Sequence, residues 1–447
     1  MKYSRSRRVV RLKNSLNEPL KFNPFVYNKL FLLWTILGLV GGLIAGTYWF
    51  VLEHLIELFH HVDGLYVILL MTAAGLLAGL VIHKMGDPGE IDLIVDNIHF
   101  NEGKLESKNN PSMILSSLLC ISAGGSLGPE APLVQVVGST GSYIAKKLKF
   151  KGEDVRSLTI AGMASAFTAL FGAPLGGSLF ALEILDHKHV TRYYQAFMPA
   201  LVASCASYLM FILITHLNIG PTWTFPVYEN PQVNDIFYAV LYSFAGAAAG
   251  WLFIFFVKKL KQAFQVIKIK IYVKLAIGGF LLGVIAYFLP LTRYFGHHQL
   301  TELLNNDFSV SFLIALLIFK LIAIAITVTS GWRGGFIIPL LFAGTTLGLI
   351  IYKLVPGQNF SLISVCCMAA IVACVTRTPV SVIILLGTMT GFGSLIPIMF
   401  ASLTGFFLAP KTPLINSQLG VRKHKKPEAL DKTNHHTDAG NPPKSED

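Results

Sequence analysis

The sequence contains few charged residues. Charged side chains make up only 13% of the 447 residues, whereas hydrophobic ones make up 53%, and the mean hydropathy is +0.60. Soluble domains carry about 25% charged residues, so this composition excludes an ordinary soluble domain. Uncharged runs long enough to cross a bilayer occur at 31–52, 65–82, 236–257, 275–292 and 378–410. The composition therefore predicts an all-α polytopic membrane protein.

Cysteine and histidine are also scarce in the apolar segments. The cysteines, which show no metal-ligand spacing, are Cys120, Cys205, Cys366, Cys367 and Cys374. This pattern predicts free, buried side chains in place of disulfides or a metal centre. The histidine pairs 60–61 and 297–298 fall in predicted external connections, where we expect solvated surface. We expect neither a metal nor a cofactor.

Basic residues outnumber acidic ones, but they lie in blocks outside the apolar runs. The net charge is +12, and the basic blocks cover 2–29, 146–151, 258–274 and 422–432. This distribution follows the positive-inside rule. It predicts a multi-pass protein with both termini in the cytoplasm, and it argues against nucleic acid as a partner. We expect a bacterial plasma membrane, because no cytoplasmic regulatory domain is attached. Lys320 interrupts an apolar run, and we expect it to snorkel or to pair with an acid.

The chain divides into five predicted regions. They are a basic cytoplasmic arm (1–29), a first transmembrane repeat (30–217), an external connection (218–231), a second transmembrane repeat (232–420) and a polar cytoplasmic tail (421–447). Glycine and proline interrupt many apolar segments, which predicts short, broken helices. Broken backbone at membrane depth is tolerated only where protein or water surrounds it, so several of these helices should converge on a site.

An internal repeat relates the two halves. The run Gly-Pro-Glu-Ala-Pro at 128–132 and the run Gly-Phe-Ile-Ile-Pro at 335–339 are each followed, nine residues after the last proline, by a glycine. In both halves a Met-Ala pair then precedes a further proline by eleven residues, at Pro174 and at Pro379. Repeats in membrane transporters commonly pack as inverted halves with the binding site between them. We therefore expect two inverted repeats.

The most informative stretch is 124–135, which reads GGSLGPEAPLVQ. Its prolines suit the first turn of a helix. A helix N-terminus opened by glycines is a seat for an anion, because its N–H groups have no partner within the helix. Glu130 would sit at this seat, where it competes with the anion or carries a proton; the alternative is an ordinary acid near a helix N-cap. The repeat pairs Glu130 with Ile337, so the site has one carboxylate.

These residues resemble the CLC family of chloride channels and proton-coupled chloride exchangers. The stretch GPEAPLVQ at 128–135 is similar to the family pattern G-[KR]-E-G-P-x-V-Q, which places Glu130 at the gating glutamate. The stretch 334–339 is similar to the pattern G-x-F-x-P, and 162–183 resembles the family's G–H helix pair. The resemblance implies tilted and broken helices in two inverted halves, and a homodimer with one pore in each subunit. It also implies small anions and protons as the transported partners.

The resemblance also assigns roles to individual residues. It implies gating or proton transfer for Glu130 and Glu183; for Glu183, an isolated carboxylate near a cytoplasmic helix end, the equal alternative is a structural hydrogen bond or pairing with a nearby base. The positions implied to bind the anion are Gly86, Asp87, Gly128, Ala131, Phe336, Ile337, Ile338 and Ile415.

Several positions depart from the family pattern. Pro129 replaces a basic residue and removes an N–H group, and Ile415 stands at the place of the central tyrosine. Either Gly86 or Asp87 takes the place of the central serine, according to the alignment. An ionised Asp87 would repel a halide, so we expect it to be turned away or neutralised. Ile184 stands where many proton-coupled members have a second glutamate. We expect backbone N–H groups and helix dipoles, not fixed cations, to bind the anion.

The favoured function is transmembrane transport of chloride or a similar small anion by proton-coupled exchange, gated by Glu130. Fluoride and nitrate are the other candidate anions. The alternative is an uncoupled chloride channel. A more distant alternative is an intramembrane serine hydrolase, because 124–128 fits the pattern G-x-S-x-G around Ser126. That enzyme would need a general base in a neighbouring span, and the clear spans contain almost no histidine. We therefore do not expect an enzyme.

Overall fold

The computed structural model of the chain describes residues 24–415, apart from gaps at 90, 186–189, 221–224, 226–227, 229–231, 267–268 and 356, and also residue 418. These described residues form α-helices and no β-strand. The first eight helices are α1 (Pro24–His60), α2 (Leu65–Met85), α3 (Ile91–Phe100), α4 (Asn110–Ser122), α5 (Glu130–Lys147), α6 (Glu153–Phe171), α7 (Pro174–Glu183) and α8 (Val190–Thr215). The next eight are α9 (Val233–Val266), α10 (Ile271–Phe288), α11 (His297–Asn305), α12 (Val310–Ser330), α13 (Ile337–Leu354), α14 (Phe360–Thr376), α15 (Pro379–Thr390) and α16 (Leu395–Phe407).

Long and short helices alternate irregularly, as the broken hydrophobic pattern predicts. Among the described residues, seven helices are long and apolar enough to cross a membrane, namely α1, α2, α8, α9, α10, α12 and α13. The uncharged run 378–410 does not form one continuous helix, because the chain breaks at Gly391, where φ is 83°, into α15 and α16. Helix α1 begins at Pro24, inside the predicted arm. The rest of that arm and the predicted tail 421–447 lie outside the described residues.

The two sets of eight helices are inverted copies of each other. Helices α5 and α13 both contain 18 residues, and the turns before them both hold a glycine with positive φ, Gly124 at 108° and Gly331 at 92°. The far end of α5 contacts the connection between α3 and α4, where the Leu105 N–H donates to Ser142 Oγ at 3.0 Å. The far end of α13 contacts the connection between α11 and α12 through an ion pair of Lys353 with Asp307. The two helices therefore make equivalent contacts in the two repeats.

The interface between the repeats is built on glycines. Helices α2 and α10 occupy equivalent places in the two repeats and pack against each other. Each carries a pair of glycines four residues apart, Gly75 with Gly79 and Gly279 with Gly283. A Cβ atom on Gly75 would lie 2.3 Å from the carbonyl oxygen of Leu275. Small residues at this spacing let two membrane helices approach at backbone distance.

Helices α6 and α14 form the centre of the two halves. Nearly every residue of each is buried, which explains why both are apolar around their whole circumference. The outer surface of the long helices instead exposes large apolar side chains such as Leu69, Phe237 and Phe280. A continuous exposed apolar surface suits contact with lipid.

Two polar expectations are wrong in the structure. Lys320 neither snorkels nor pairs with an acid: it is fully buried, and its Nζ donates to the carbonyl oxygens of Thr292 at 3.1 Å and Tyr294 at 2.8 Å. His297, expected at solvated surface, is half-buried against the ring of Phe295. Cys205 is exposed, whereas the other four cysteines are buried and free, as predicted.

We predict that Gly75→Val separates α2 from α10 and destabilises the fold. The valine side chain would meet the Leu275 carbonyl, which belongs to backbone and cannot rotate away. Overpacking of this kind costs about 1–3 kcal/mol. The apparent unfolding temperature of the purified protein in detergent measures the effect. Leu76→Val is the matched control, because Leu76 lies next to Gly75 and is exposed; equal unfolding temperatures in the two variants would contradict the prediction.

Candidate functional site

The two repeats are joined at the centre by a pair of backbone hydrogen bonds. The Gly128 N–H donates to the Gly335 carbonyl at 2.8 Å, and the Gly335 N–H donates to the Gly128 carbonyl at 2.6 Å. The two short segments run antiparallel. Helices α5 and α13 begin two residues after these glycines, at Glu130 and Ile337. The bridge therefore holds two helix N-termini side by side, with their first N–H groups unused by the helices themselves.

The Glu130 carboxylate lies between these two N-termini. Its side chain is only 1% exposed, and its Oε1 accepts a hydrogen bond from the Ile338 N–H at 2.7 Å. Its Oε2 has no hydrogen-bond partner among the described residues. Sequence reasoning placed Glu130 at the N-terminus of its own helix, but the structure shows it bound to the N-terminus of the opposite repeat. A carboxylate in this position is stabilised by the N–H groups and the dipole of α13.

The two bridging glycines provide the space for this carboxylate. A Cβ atom on Gly128 would lie 2.2 Å from Glu130 Oε2, and one on Gly335 would lie 2.3 Å from the same atom. Neither glycine has a positive φ, so the backbone conformation itself would accept another residue. Both positions therefore require glycine because Glu130 packs against them.

A cavity of about 60 Å³ adjoins Glu130. Its lining is mainly apolar and consists of Gly89, Met113, Glu130, Ala131, Gln135, Phe167, Val328, Trp332, Arg333, Gly334, Gly335, Phe336 and Ile337. A volume above about 15 Å³ admits at least one water molecule, so a small anion fits. Four residues assigned by the resemblance thus line one cavity: Glu130, Ala131, Phe336 and Ile337. Gly128 and Ile338 touch Glu130 directly.

Arg333 places a fixed positive charge in this lining. Its side chain is only 4% exposed, and its Nη2 donates to Asp87 Oδ1 at 2.7 Å. We expected no fixed cation here, and the expectation that N–H groups and helix dipoles bind the anion without one stays a prediction. Asp87 is neutralised as expected, since the same Oδ1 also accepts from the Gly89 N–H at 2.8 Å. The only sequence signal for Arg333 is a basic residue two positions before Gly335 in an otherwise uncharged stretch.

A larger polar cavity lies next to the first one. Its volume is about 640 Å³, and we call it the vestibule; its lining is Asp87, Pro88, Ile94, Asn97, Asn101, Glu102, Lys104, Leu105, Glu106, Asn109 and Gln135. Gln135 borders both cavities, and its Nε2 donates to the Pro88 carbonyl at 2.7 Å. Gly86 directly follows α2, and its carbonyl accepts a hydrogen bond from Ser112 Oγ at 2.8 Å. The Gln135 amide thus separates the vestibule from the Glu130 cavity.

Glu183 and Ile415 lie elsewhere. Glu183 ends α7 and accepts hydrogen bonds from the N–H groups of Val380 at 3.0 Å and Ser381 at 2.7 Å, at the start of α15. Ile415 is buried, with 2% exposure, in the hydrophobic core. Neither is among the described residues that line the Glu130 cavity. The Glu183 carboxylate thus caps the start of α15.

Titratable side chains also lie near the start of α13. His297 and Ile338 line a cavity of about 10 Å³. Burial and the neighbouring His298 lower the pKa of His297. The pKa of His298 is raised, chiefly because its Nε2 lies 3.4 Å from Glu53 Oε2. An ionisable side chain therefore lies near Ile338, whose N–H group binds Glu130.

Ser126 has none of the neighbours that a nucleophile requires. It is buried, and among the described residues its Oγ has no hydrogen-bond partner. An activated serine needs a base within hydrogen-bond reach. The geometry gives the hydrolase alternative no support.

Comparisons with known proteins agree with this architecture. A family model described as "Voltage gated chloride channel" matches residues 74–410. An uncharacterized protein of Methanocaldococcus jannaschii is 30% identical over 376 residues, which are 83% of this chain and 91% of that protein. The crystal structure of a CLC-type fluoride/proton antiporter superposes with a TM-score of 0.78 at 20% identity, covering 89% of this chain and 99% of that one. A slow cyanobacterial Cl⁻/H⁺ antiporter gives 0.77 at 18% identity, covering 87% and 97%. These superpositions show a shared fold.

We predict that Glu183→Ala destabilises the protein, because the first N–H groups of α15 lose their acceptors. Loss of such a cap costs about 0.5–2 kcal/mol. Glu183→Gln, which keeps one acceptor oxygen, should be affected less, and the apparent unfolding temperature measures both. Unchanged stability of Glu183→Ala would contradict the structural function. Loss of proton movement in a stable Glu183→Gln variant would instead assign the carboxylate to proton transfer, as the resemblance implied.

Proposed function

This chain belongs to the voltage gated chloride channel family of anion transport proteins, and we propose that it exchanges chloride or a similar small anion for protons, with Glu130 as the gate. The observation that carries the proposal is the position of the Glu130 carboxylate. It occupies the N-terminus of α13 beside a cavity that admits a small anion, with one oxygen on the Ile338 N–H. A carboxylate and a free anion compete for such a seat because both need the same donors.

Exchange then follows from two positions of one side chain. Ionised Glu130 fills the seat and closes the cavity. When it takes up a proton it loses its attraction for the α13 N-terminus and swings away, so that an anion from the cavity takes its place on the N–H groups near Phe336, Ile337 and Ile338. On the first repeat, Gly128 and Ala131 complete the seat. Proton and anion thus use the site in turn, which couples their movements in opposite directions.

An uncoupled channel is the second candidate, but no specific observation favours it. Its support was the absence of hydroxyl and carboxyl groups at Ile415 and Ile184. Both residues lie outside the lining of the Glu130 cavity in the described chain. The two solved structures named above are those of proton antiporters, and their fold is the fold of this chain.

We further propose the orientation of the protein. The connection between α3 and α4, which lines the vestibule, contacts the end of α5, where the basic block 146–151 begins. By the positive-inside rule this face is cytoplasmic. Both termini then lie in the cytoplasm, the membrane is the plasma membrane, and the vestibule admits anions from inside the cell. We propose a homodimer, as the resemblance implies.

Glu130→Gln should uncouple anion movement from protons or nearly abolish transport. Glutamine fills the same space and still accepts the Ile338 N–H, but it carries no proton at this site. The measurement is internal pH in liposomes that contain the purified protein while a chloride gradient is imposed. We expect uphill proton movement with the parent and none with the variant.

Glu302→Gln is the control, because Glu302 is exposed on α11. It should retain the proton movement of the parent. If Glu130→Gln also retained it, Glu130 would have no part in coupling.

We predict that Gly335→Ala displaces the Glu130 carboxylate from the N-terminus of α13. The new methyl group would lie 2.3 Å from Glu130 Oε2, and the carboxylate, as the end of a side chain, is the group that moves. The anion seat is then open at all pH values. We expect anion flux in liposomes to depend less on pH than in the parent.

Gly387→Ala serves as the control, because its methyl group would meet first the side-chain end of Leu395, at 3.0 Å. It should leave the pH dependence of flux unchanged. A parent-like pH profile in folded Gly335→Ala would show that the contact with Glu130 does not govern the gate.

A further inference from the structure

We propose that Arg333 is the fixed cation of the anion site, that Asp87 screens it, and that this pair sets which anions the protein selects. The inference deepens the function proposed above and rests on it. It assigns anion recognition to a guanidinium group at a place where sequence comparison offered only Gly86 or Asp87 and no hydroxyl donor.

Arg333 is held firmly in the wall of the Glu130 cavity. Its Nη1 donates to the Gly89 carbonyl at 3.0 Å and its Nη2 to Asp87 Oδ1 at 2.7 Å. The preceding residue, Trp332, is anchored by a hydrogen bond of 2.8 Å from its indole Nε1 to the Leu275 carbonyl. The hydrogen bonds hold the guanidinium group in place, so it presents its charge to the cavity and does not have to be ordered when an anion enters.

The charges of Arg333 and Asp87 are unequally exposed. The side chain of Arg333 is 4% exposed, whereas that of Asp87 is 63% exposed. Solvent screens an exposed charge much more strongly than a buried one. Asp87 therefore reduces the attraction of Arg333 for an anion in the cavity less than a buried carboxylate would. A weakened cation attracts an anion and still allows it to leave, which transport requires.

The lining of the cavity indicates the class of anion. Apart from Arg333, Glu130 and Gln135, the lining side chains are apolar, among them Phe167, Trp332 and Phe336. Besides the N–H groups at the helix N-termini, few donors replace the water that an anion leaves behind, so a strongly hydrated ion such as fluoride enters at the greatest cost. Guanidinium groups match planar oxyanions through paired N–H donors. We infer a selectivity in the order nitrate, chloride, fluoride.

The test compares Arg333→Gln and Asp87→Asn with the parent in liposomes, with flux measured against the concentrations of nitrate, chloride and fluoride. Arg333→Gln should weaken the apparent affinity for nitrate about tenfold or more, the effect expected for loss of a hydrogen bond to a charged group. It should also lose the preference for nitrate over chloride. Asp87→Asn should act in the opposite direction and tighten apparent anion affinity, because the screening charge is gone.

Arg156→Gln is the matched control. Arg156 is another buried arginine that pairs with a more exposed carboxylate, Glu153, but it lies outside the lining of the Glu130 cavity. Its loss should leave anion selectivity unchanged. Opposite changes in the two site variants, together with no change in the control, would distinguish anion binding from a structural role, since breaking an ion pair from either side would otherwise weaken the protein in the same way.

The outcomes separate this inference from the proposed function. If the parent moves no anion against protons, the proposed function fails, and the selectivity mechanism with it. If the parent is an exchanger and the flux of Arg333→Gln depends on the concentration of every anion as the parent's flux does, only the role of Arg333 is overturned. If Arg333→Gln does not fold, Asp87→Asn decides, because a lower or unchanged anion affinity there contradicts screening. A parent that prefers fluoride would overturn the inferred selectivity.

Discussion

The structure depends on the two hydrogen bonds between Gly128 and Gly335. They are the point at which the inverted repeats meet at membrane depth, and they satisfy backbone groups that lipid could not satisfy. Because each glycine precedes a helix start by two residues, the bridge also fixes where the N-termini of α5 and α13 point. The absence of side chains at the bridge leaves the space that Glu130 occupies. One contact thus unites the fold, the orientation of two helix dipoles and the position of the gate.

Three of the buried charges in this protein each have a different kind of partner. Glu130 rests on a helix N-terminus, Lys320 donates to backbone carbonyls, and Arg333 is paired with Asp87. An isolated charge is costly at membrane depth, so each of these arrangements supplies compensation. These three arrangements differ in how easily one of the two partners can be exchanged. The carbonyls around Lys320 belong to fixed backbone, whereas the seat of Glu130 serves equally well for a free anion. Under the proposed function, Glu130 is the one of these three charges whose place a transported ion can take.

Sequence patterns predicted the parts of the structure that depend on local chemistry. The all-α fold in two inverted repeats is confirmed, because glycine and proline mark the same helix starts in both halves, at Glu130 and Ile337. Hydropathy missed the break at Gly391, because an apolar run that is long enough to cross a bilayer gives the same signal whether it forms one helix or two. The partners of Glu130 and Arg333 were also missed. Ile338 is 208 residues from Glu130, and Asp87 is 246 residues from Arg333. Contacts across such separations arise from the packing of the repeats and leave no trace in local spacing.

The repeats share a backbone, but their charges differ at the positions that matter. Counted from the Gly128–Gly335 pair, Glu130 has Ile337 as its equivalent, and Arg333 has Ser126. The first repeat thus contributes the carboxylate and the second the guanidinium to one cavity. A fully symmetric site would hold two carboxylates, which repel an anion, or two guanidiniums, which retain it. Inverted symmetry supplies two helix N-termini, and under the proposed function the loss of symmetry in these two side chains lets an anion bind and leave.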